Sequence, residues 1–283
     1  MRLLRVGDPG SEFPVVLDES GHSRDLRPVT SGISGDFLAD GGVSRVRDAL
    51  AGGDLPALDI AGMRIGAPVS RPGALVCIGL NYSDHAAETR AEPPAEPVVF
   101  MKATNTIVGP NDTVLVPKMS VATDYEVELA VVLGATARYL DSPQDAAEVI
   151  AGYAISDDVS ERDFQLNRGG QWTKGKSCET FNPLGPWLVT ADEVGDPQAL
   201  GLRLSVNGQP RQDGNTANML FGVHHIIWYL SQFMVLEPGD VVNTGTPAGV
   251  ALGANDFDYL REGDTVEVSI DRLGVQRHRI GQA

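Results

Sequence analysis

The stretch Asp124-Tyr125-Glu126-Val127-Glu128-Leu129-Ala130-Val131-Val132-Leu133 constrains this chain more than any other. From Val127 to Leu133 it is almost wholly apolar, the composition of a strand covered on both faces. Yet Glu126 and Glu128 stand two apart, so on a strand their side chains share a face. Two neighbouring carboxylates under apolar cover cannot both stay charged without a counter-cation. A hard divalent ion with oxygen ligands answers that need. The bland alternative puts both at an exposed strand end or opposite arginine.

Strand-like runs bounded by turn residues recur along the chain. They are Met1 to Val6, Val15 to Leu17, Ala74–Ile78, Val98–Met101, Val114–Val116, Glu126–Leu133, Gly185–Val189, Leu202–Val206, Asp240–Thr244 and Thr265–Ile270. Asn207-Gly208 and Glu237-Pro238-Gly239-Asp240 are turn signals between them. Helices are expected around Val43–Ala51, over Pro143–Ala151 and over Val223–Met234. In the last, Val223, Ile226, Ile227, Leu230, Phe233 and Met234 fall on one stripe. Strands outnumber helices and do not alternate with them regularly. That pattern predicts a β-rich α+β sandwich or barrel and argues against a doubly wound sheet. Pro68, Arg71, Pro72 and Gly73 mark a boundary between a small N-terminal domain, 1–70, and a main domain, 71–283.

With 283 residues, 42% of them hydrophobic, the chain can bury a full core. Its formal charge of −16 repels phosphate backbones and anionic lipid, so neither nucleic acid nor a membrane surface is an expected partner. An acidic substrate would need a local cation. Cys77 and Cys178 are far apart and lack metal-type spacing, which suggests a reducing, cytoplasmic setting. The N-terminus has no apolar signal core, and no stretch approaches 18 uninterrupted apolar residues.

A second acidic cluster comes after the apolar stretch Ala151-Gly152-Tyr153-Ala154-Ile155-Ser156 and begins at Asp157-Asp158. One of these two is expected to ligate a metal and the other to cap free N–H groups; spacing does not say which. Among five histidines, His85 stands apart, just after a strand and three residues before Glu88. A carboxylate beside an imidazole raises its basicity, the usual build of a base that activates water. A solvated helix pair explains the same spacing equally well. His22 and His278 lie in surface-like polar contexts, and His224 and His225 flank the late helix stripe. Lys102 closes an apolar run, either partly buried or at a strand end.

Gly170 to Ser177 matches G-x-x-x-x-G-K-[ST], with Lys176 as the lysine, and would suit a nucleotide-binding protein. Such a loop needs a buried strand before it and a helix after it. Here Arg162–Arg168 is polar and helix-like, while Pro183 and Pro186 interrupt the segment on the C-terminal side, so a chance match explains it better. In Thr244-Gly245-Thr246-Pro247 a strand runs into a tight turn whose N–H groups can hold a carboxylate.

Together these segments resemble the fumarylacetoacetate hydrolase superfamily. The resemblance runs from about Ala74 to the end. It rests on Gly79-Leu80-Asn81-Tyr82-Ser83-Asp84-His85-Ala86, Phe100-Met101-Lys102, Asp124-Tyr125-Glu126-Val127-Glu128-Leu129, Asp158-Val159-Ser160-Glu161-Arg162-Asp163, Trp172-Thr173-Lys174-Gly175-Lys176-Ser177 and Thr244-Gly245-Thr246-Pro247, in the family's order. It implies a mixed β-sandwich roll, usually a homodimer, acting on a small 2-oxo acid with Mg²⁺, or Mn²⁺ or Ca²⁺ in its place. It implies Glu126, Glu128 and Asp158 as metal ligands, His85 and Glu88 as the water-activating pair, and Lys176 as the active-site lysine. Arg162, Gln165 and Thr246 match substrate-contacting positions, and Lys102 joins them as a substrate-binding expectation. The whole chain looks most like the bacterial sugar-acid branch, which cleaves the C3–C4 bond of 2,4-diketo-3-deoxy-L-fuconate or the rhamnonate analogue. Oxaloacetate decarboxylase, acylpyruvate hydrolase and ureidoglycolate lyase are the rival activities on the same metal site. The animal fumarylacetoacetate enzyme carries a further carboxylate ligand upstream of its histidine; Cys77-Ile78-Gly79-Leu80 offers none.

Overall fold

The computed structural model of the protein describes residues 1–84, 88, 92–253 and 257–283. Its largest sheet has the order β3 (Ser23–Asp25), β2 (Phe13–Leu17), β1 (Arg2–Val6), β13 (Asn182–Thr190), β11 (Ile150–Asp157), β10 (Val127–Leu133), β16 (Val241–Asn243), β5 (Leu75–Gly79), β6 (Val98–Lys102). β4 (Ile65–Gly66) adds to β1, and β7 (Ile107–Val108) adds to β13. A five-stranded sheet runs β15 (Gln209–Asn215), β14 (Gly201–Val206), β17 (Thr265–Ile270), β18 (Gly274–Gln282), β8 (Val114–Val116). β9 (Thr123–Asp124) pairs with β12 (Ser160–Glu161). Helices among the described residues include α1 (Gly35–Ala39), α2 (Gly42–Gly52), α3 (Ala146–Val149), α4 (Thr173–Lys176), α5 (Ala191–Val194) and α6 (Val223–Ser231). This is the β-rich α+β architecture that the strand count predicted.

The alternation of β10 explains how the layers form. Val127, Leu129, Val131 and Leu133 face the five-stranded sheet and join Tyr153, Ile155, Leu202, Leu204, Val266 and Val268 in one core. Ala130 and Val132 face the other way, into a second core with Leu3, Val16, Leu26, Val46, Leu75 and Leu184. All seven residues of β10 are buried, as a strand covered on both faces requires. Each large aliphatic side chain so buried contributes about 1.5–3 kcal/mol. The first 70 residues enter the second core, and their strand β1 pairs with β13 through Leu3 and Leu188.

Two helices end earlier than their patterns suggest. The segment from Pro143 is a 3-10 turn and then α3, which stops at Val149 because Ile150 begins β11. α6 stops at Ser231, and Phe233 leaves the stripe with 67% exposure. No helix among the described residues is long and apolar enough to cross a membrane.

Candidate metal centre and substrate cavity

Glu126 precedes β10 by one residue and Glu128 lies within it, so both project on the face opposite the inter-sheet core. Asp158 comes directly after the last residue of β11, whose Asp157 lies across from Val127. Ligand oxygens of Glu126, Glu128 and Asp158 lie within 4.8 Å of one another, and all three residues are buried. Strand alternation also divides the work of the two aspartates. Asp157 shares a face with Ile155 and points between the sheets, whereas Asp158 turns to the opposite side. Asp157 accepts a hydrogen bond from the Glu126 N–H at 2.9 Å, while Asp158 joins the triad.

Among the described residues, three buried cations serve these carboxylates. Lys176 Nζ lies 2.8 Å from Glu126 Oε2 and 2.8 Å from Asp158 Oδ2. Burial alone would lower the Lys176 pKa; Asp158 and Glu126 outweigh it and hold it above the ordinary lysine value. Arg162 Nη2 pairs with Asp124 Oδ2 at 2.8 Å and Glu126 Oε1 at 2.7 Å, and its Nη1 donates to Gln165 Oε1 at 3.1 Å. Lys102 Nζ pairs with Asp158 Oδ1 and donates to the carbonyls of Val159 and Phe181. Lys102 thus stands behind Asp158 and supports the triad from its far side. α4 brings Lys176 close because Gly175 has no side chain: a Cβ there would sit 2.4 Å from the Gln165 amide nitrogen.

Were Glu128 ionised, four carboxylates would face three cations among the described residues, one negative charge in excess. Glu128 is the member of this set with no cation against it among the described residues; its Oε2 accepts the Gly245 N–H at 2.8 Å. Burial first, then Asp158 and Glu126, push its carboxyl well above the usual glutamate range. An all-oxygen, partly undercompensated carboxylate set is what a hard divalent ion takes. The residues present therefore fit the metal that the family implies.

That shift has a consequence for pH. Glu128 folded and metal-free keeps a proton that an unfolded glutamate, titrating near ~4.3, has released. Above that pH the folded state binds the extra proton, so this group's contribution to stability falls as pH rises toward its raised folded pKa. A divalent ion displaces the proton, so metal binding should tighten with pH and release acid. Calorimetric titration of Mg²⁺ in two buffers of different ionisation enthalpy should give different heats. Identical heats would contradict the shift.

A cavity of about 170 Å³ opens onto Glu126 and Glu128 of the triad. Glu126, Glu128, Arg162, Gln165, Lys176 and Thr246 form its polar side. Ile78, Leu80, Phe100, Leu166, Trp172 and Leu252 form its apolar side. Lys102, expected to bind substrate, does not line this cavity; its Nζ lies against Asp158. Phe100 and Trp172 meet edge to face at 5.3 Å. Thr246 donates to the Val127 carbonyl at 2.9 Å and lies 2.8 Å from the Gln212 Nε2 donor, so its hydroxyl is tied to the ligand strand. The lysine of the phosphate-loop match is this same Lys176, between two carboxylates that would repel phosphate. The turn before it is a π-helix, Asp163–Asn167, and the next strand is β13.

Glu88 accepts the Gly249 N–H at 3.0 Å, beside the loop whose Leu252 lines the cavity. His85 lies outside the described residues. His278 corrects its surface-like sequence context: it is 1% exposed, and its Nε2 lies 3.0 Å from Asp157 Oδ2. Gln212, also buried, accepts the Val127 N–H at 2.9 Å from the five-stranded sheet. Sequence reasoning passed over both His278 and Gln212. For His278 the only signal was its inward place in the alternation of β18; for Gln212, the one buried position of β15, there was none.

Comparison with known proteins bears on this geometry. The family described as Fumarylacetoacetate (FAA) hydrolase C-terminal matches residues 74–281. A Burkholderia multivorans protein with a provisional hydrolase name is 51% identical over 277 residues, covering 98% of this chain and 97% of the relative. The crystal structure of maleylpyruvate hydrolase from Sphingobium sp. SYK-6 superposes over 100% of both chains with a TM-score of 0.82 at 28% identity. That of 2-hydroxyhepta-2,4-diene-1,7-dioate isomerase from Mycobacterium marinum covers 100% of this chain and 98% of its own, with a TM-score of 0.75 at 32% identity.

Proposed function

This chain belongs to the fumarylacetoacetate hydrolase family, and on that premise we propose that it hydrolyses the C3–C4 bond of a 2,4-dioxo acid to pyruvate and a second carboxylic acid. The observation that carries this reading is the meeting of Glu126, Glu128 and Asp158 within 4.8 Å at a cavity that also presents Lys176, Arg162 and Gln165. These three carboxylates would hold Mg²⁺ or a similar ion. Bound there in place of the Glu128 proton, a divalent ion would supply Lewis acidity for a 2-oxo group and leave the local charge positive, which suits a monoanionic substrate.

The chain's own residues do the rest. Arg162 and Gln165 orient the substrate on the polar side of the cavity. His85, assisted by Glu88, takes a proton from water. The hydroxide adds to the C4 carbonyl, the C3–C4 bond breaks, and its electron pair passes into the enolate of pyruvate. Lys176 faces that developing charge, where a fixed cation lowers the barrier. A proton delivered to C3 completes pyruvate. A homodimeric assembly is part of the same proposal.

The apolar wall formed by Leu80, Phe100, Leu166, Trp172 and Leu252 favours an apolar acyl tail over the hydroxylated tail of the fuconate or rhamnonate analogue. A substrate panel with Mg²⁺ decides among these. Acylpyruvates of increasing tail length, 2,4-diketo-3-deoxy-L-fuconate, oxaloacetate and ureidoglycolate are compared by pyruvate or glyoxylate release. Expected is pyruvate from acylpyruvates with the highest kcat/KM. No pyruvate from any 2,4-dioxo acid would overturn the reading. The likeness to an isomerase of a 2-hydroxy-2,4-dienedioate favours a second activity, enol-to-keto isomerisation without cleavage; a change in ultraviolet absorbance with no release of pyruvate identifies it.

A further inference from the structure

We infer that Asp157 and His278 form a positioning pair that fixes the backbone of Glu126, so that the five-stranded sheet sets the geometry of the metal centre. The inference rests on the metal reading of Glu126, Glu128 and Asp158.

Glu126 sits one residue outside the paired part of β10, whose register with β11 begins at Val127 and Asp157. Its peptide is held from β11 and the residue after it. Asp157 Oδ1 accepts the Glu126 N–H at 2.9 Å, and the Asp158 N–H donates to the Glu126 carbonyl at 2.9 Å. The second of these anchors is itself a triad member. The first is a side chain, and its remaining oxygen is held in turn: His278 Nε2 lies 3.0 Å from Asp157 Oδ2. Both side chains are fully buried. A carboxylate kept out of water is costly unless every oxygen is satisfied, so filling this space calls for nothing so polar. What the carboxylate does here is join two sheets whose shared interior is otherwise largely apolar. His278 belongs to β18 of the five-stranded sheet, and Asp157 ends a strand of the large sheet.

The carboxylate of Glu126 must keep its place relative to Glu128 and Asp158 to within a fraction of an ångström. Groups that orient metal ligands in this way typically change metal affinity about 10- to 100-fold when removed. The same strand supplies a control. Gln276 is equally buried on β18, but it donates to the carbonyls of Ile155, Pro183 and Gly185, not to a residue that touches the triad.

The experiment titrates Mn²⁺ into the full chain and follows it by electron paramagnetic resonance, with a thermal melt of each variant. Asp157→Ala is expected to weaken Mn²⁺ binding about 10- to 100-fold and to change the spectrum of the bound ion. Asp157→Asn keeps an oxygen for the Glu126 N–H and should recover most of the affinity. Gln276→Ala should lower Tm while leaving Mn²⁺ affinity unchanged. If Asp157→Ala does not fold, His278→Ala carries the same test. Variants at 157 and 278 that lose Tm but bind Mn²⁺ as the unaltered protein does would reduce the pair to a packing role and overturn the inference. If the unaltered protein itself binds no Mn²⁺, the metal reading fails and takes this inference with it.

Discussion

Glu126→Ala protein is expected to fold and to lose metal binding and turnover together. Arg162 and Lys176, the cations on Glu126 among the described residues, each keep another anion. Arg162 keeps Asp124 at 2.8 Å, and Lys176 keeps Asp158 at 2.8 Å. Neither cation is left buried without a partner, so the fold escapes the cost of about 3–5 kcal/mol incurred when a buried ion pair loses one member. The metal centre, by contrast, loses one of three protein carboxylates. Its affinity should fall further than the roughly 10- to 100-fold typical of losing a supporting group. A Mn²⁺ titration beside a thermal melt measures both. A cooperative melt together with undiminished Mn²⁺ affinity would place the metal elsewhere.

Lys176→Met should separate binding from chemistry. The substitution removes a positive charge that lies 2.8 Å from two of the three triad carboxylates. One positive charge fewer then opposes the carboxylates, so a divalent ion should bind more tightly. Catalysis moves the other way. The cation facing the enolate is gone, and kcat should fall on the order of 10²–10³-fold at saturating metal. Without metal the variant should lose stability, but less than the about 3–5 kcal/mol of a stranded buried charge, because Glu126 keeps Arg162 and Asp158 keeps Lys102. Saturating Mg²⁺ should return part of that by binding only the folded state. Melts with and without Mg²⁺, together with steady-state rates, check all three effects. An undiminished kcat would remove Lys176 from the chemistry, and weaker metal binding would contradict the charge count.

The ligand strand was the most legible part of the sequence, because an apolar run interrupted by Glu-x-Glu has few physical solutions. The split between Asp157 and Asp158 was not legible from spacing. It depended on which one continued the alternation of Ile155 into the layer between the sheets, and that needed the end of β11. β15 and β18 escaped notice for a related reason. β15 reads Gln209-Pro210-Arg211-Gln212-Asp213-Gly214-Asn215, with one buried position, Gln212. β18 does alternate, but its buried positions include Gln276 and His278. Period-2 reasoning looks for apolar residues on the inner face. Where the inner face carries hydrogen-bonding side chains, the period is present and the hydropathy signal is not. Both polar residues fasten the second sheet to the segment around the triad, at Val127 through Gln212 and at Asp157 through His278.

The pairing of distant strands has a consequence for how the protein is made. Leu75 lies beside Val241 and Leu3 beside Leu188, so the sheet that carries the triad closes only when both halves of the polypeptide are available. Long-range pairing of this kind slows assembly and leaves apolar strands such as β10 unprotected meanwhile. A cation has nothing to grip until Glu126, Asp158 and Lys176 have been brought together, so it cannot act as a seed for the process. Lower growth temperature, more than added magnesium in the medium, should govern how much soluble protein a cell accumulates.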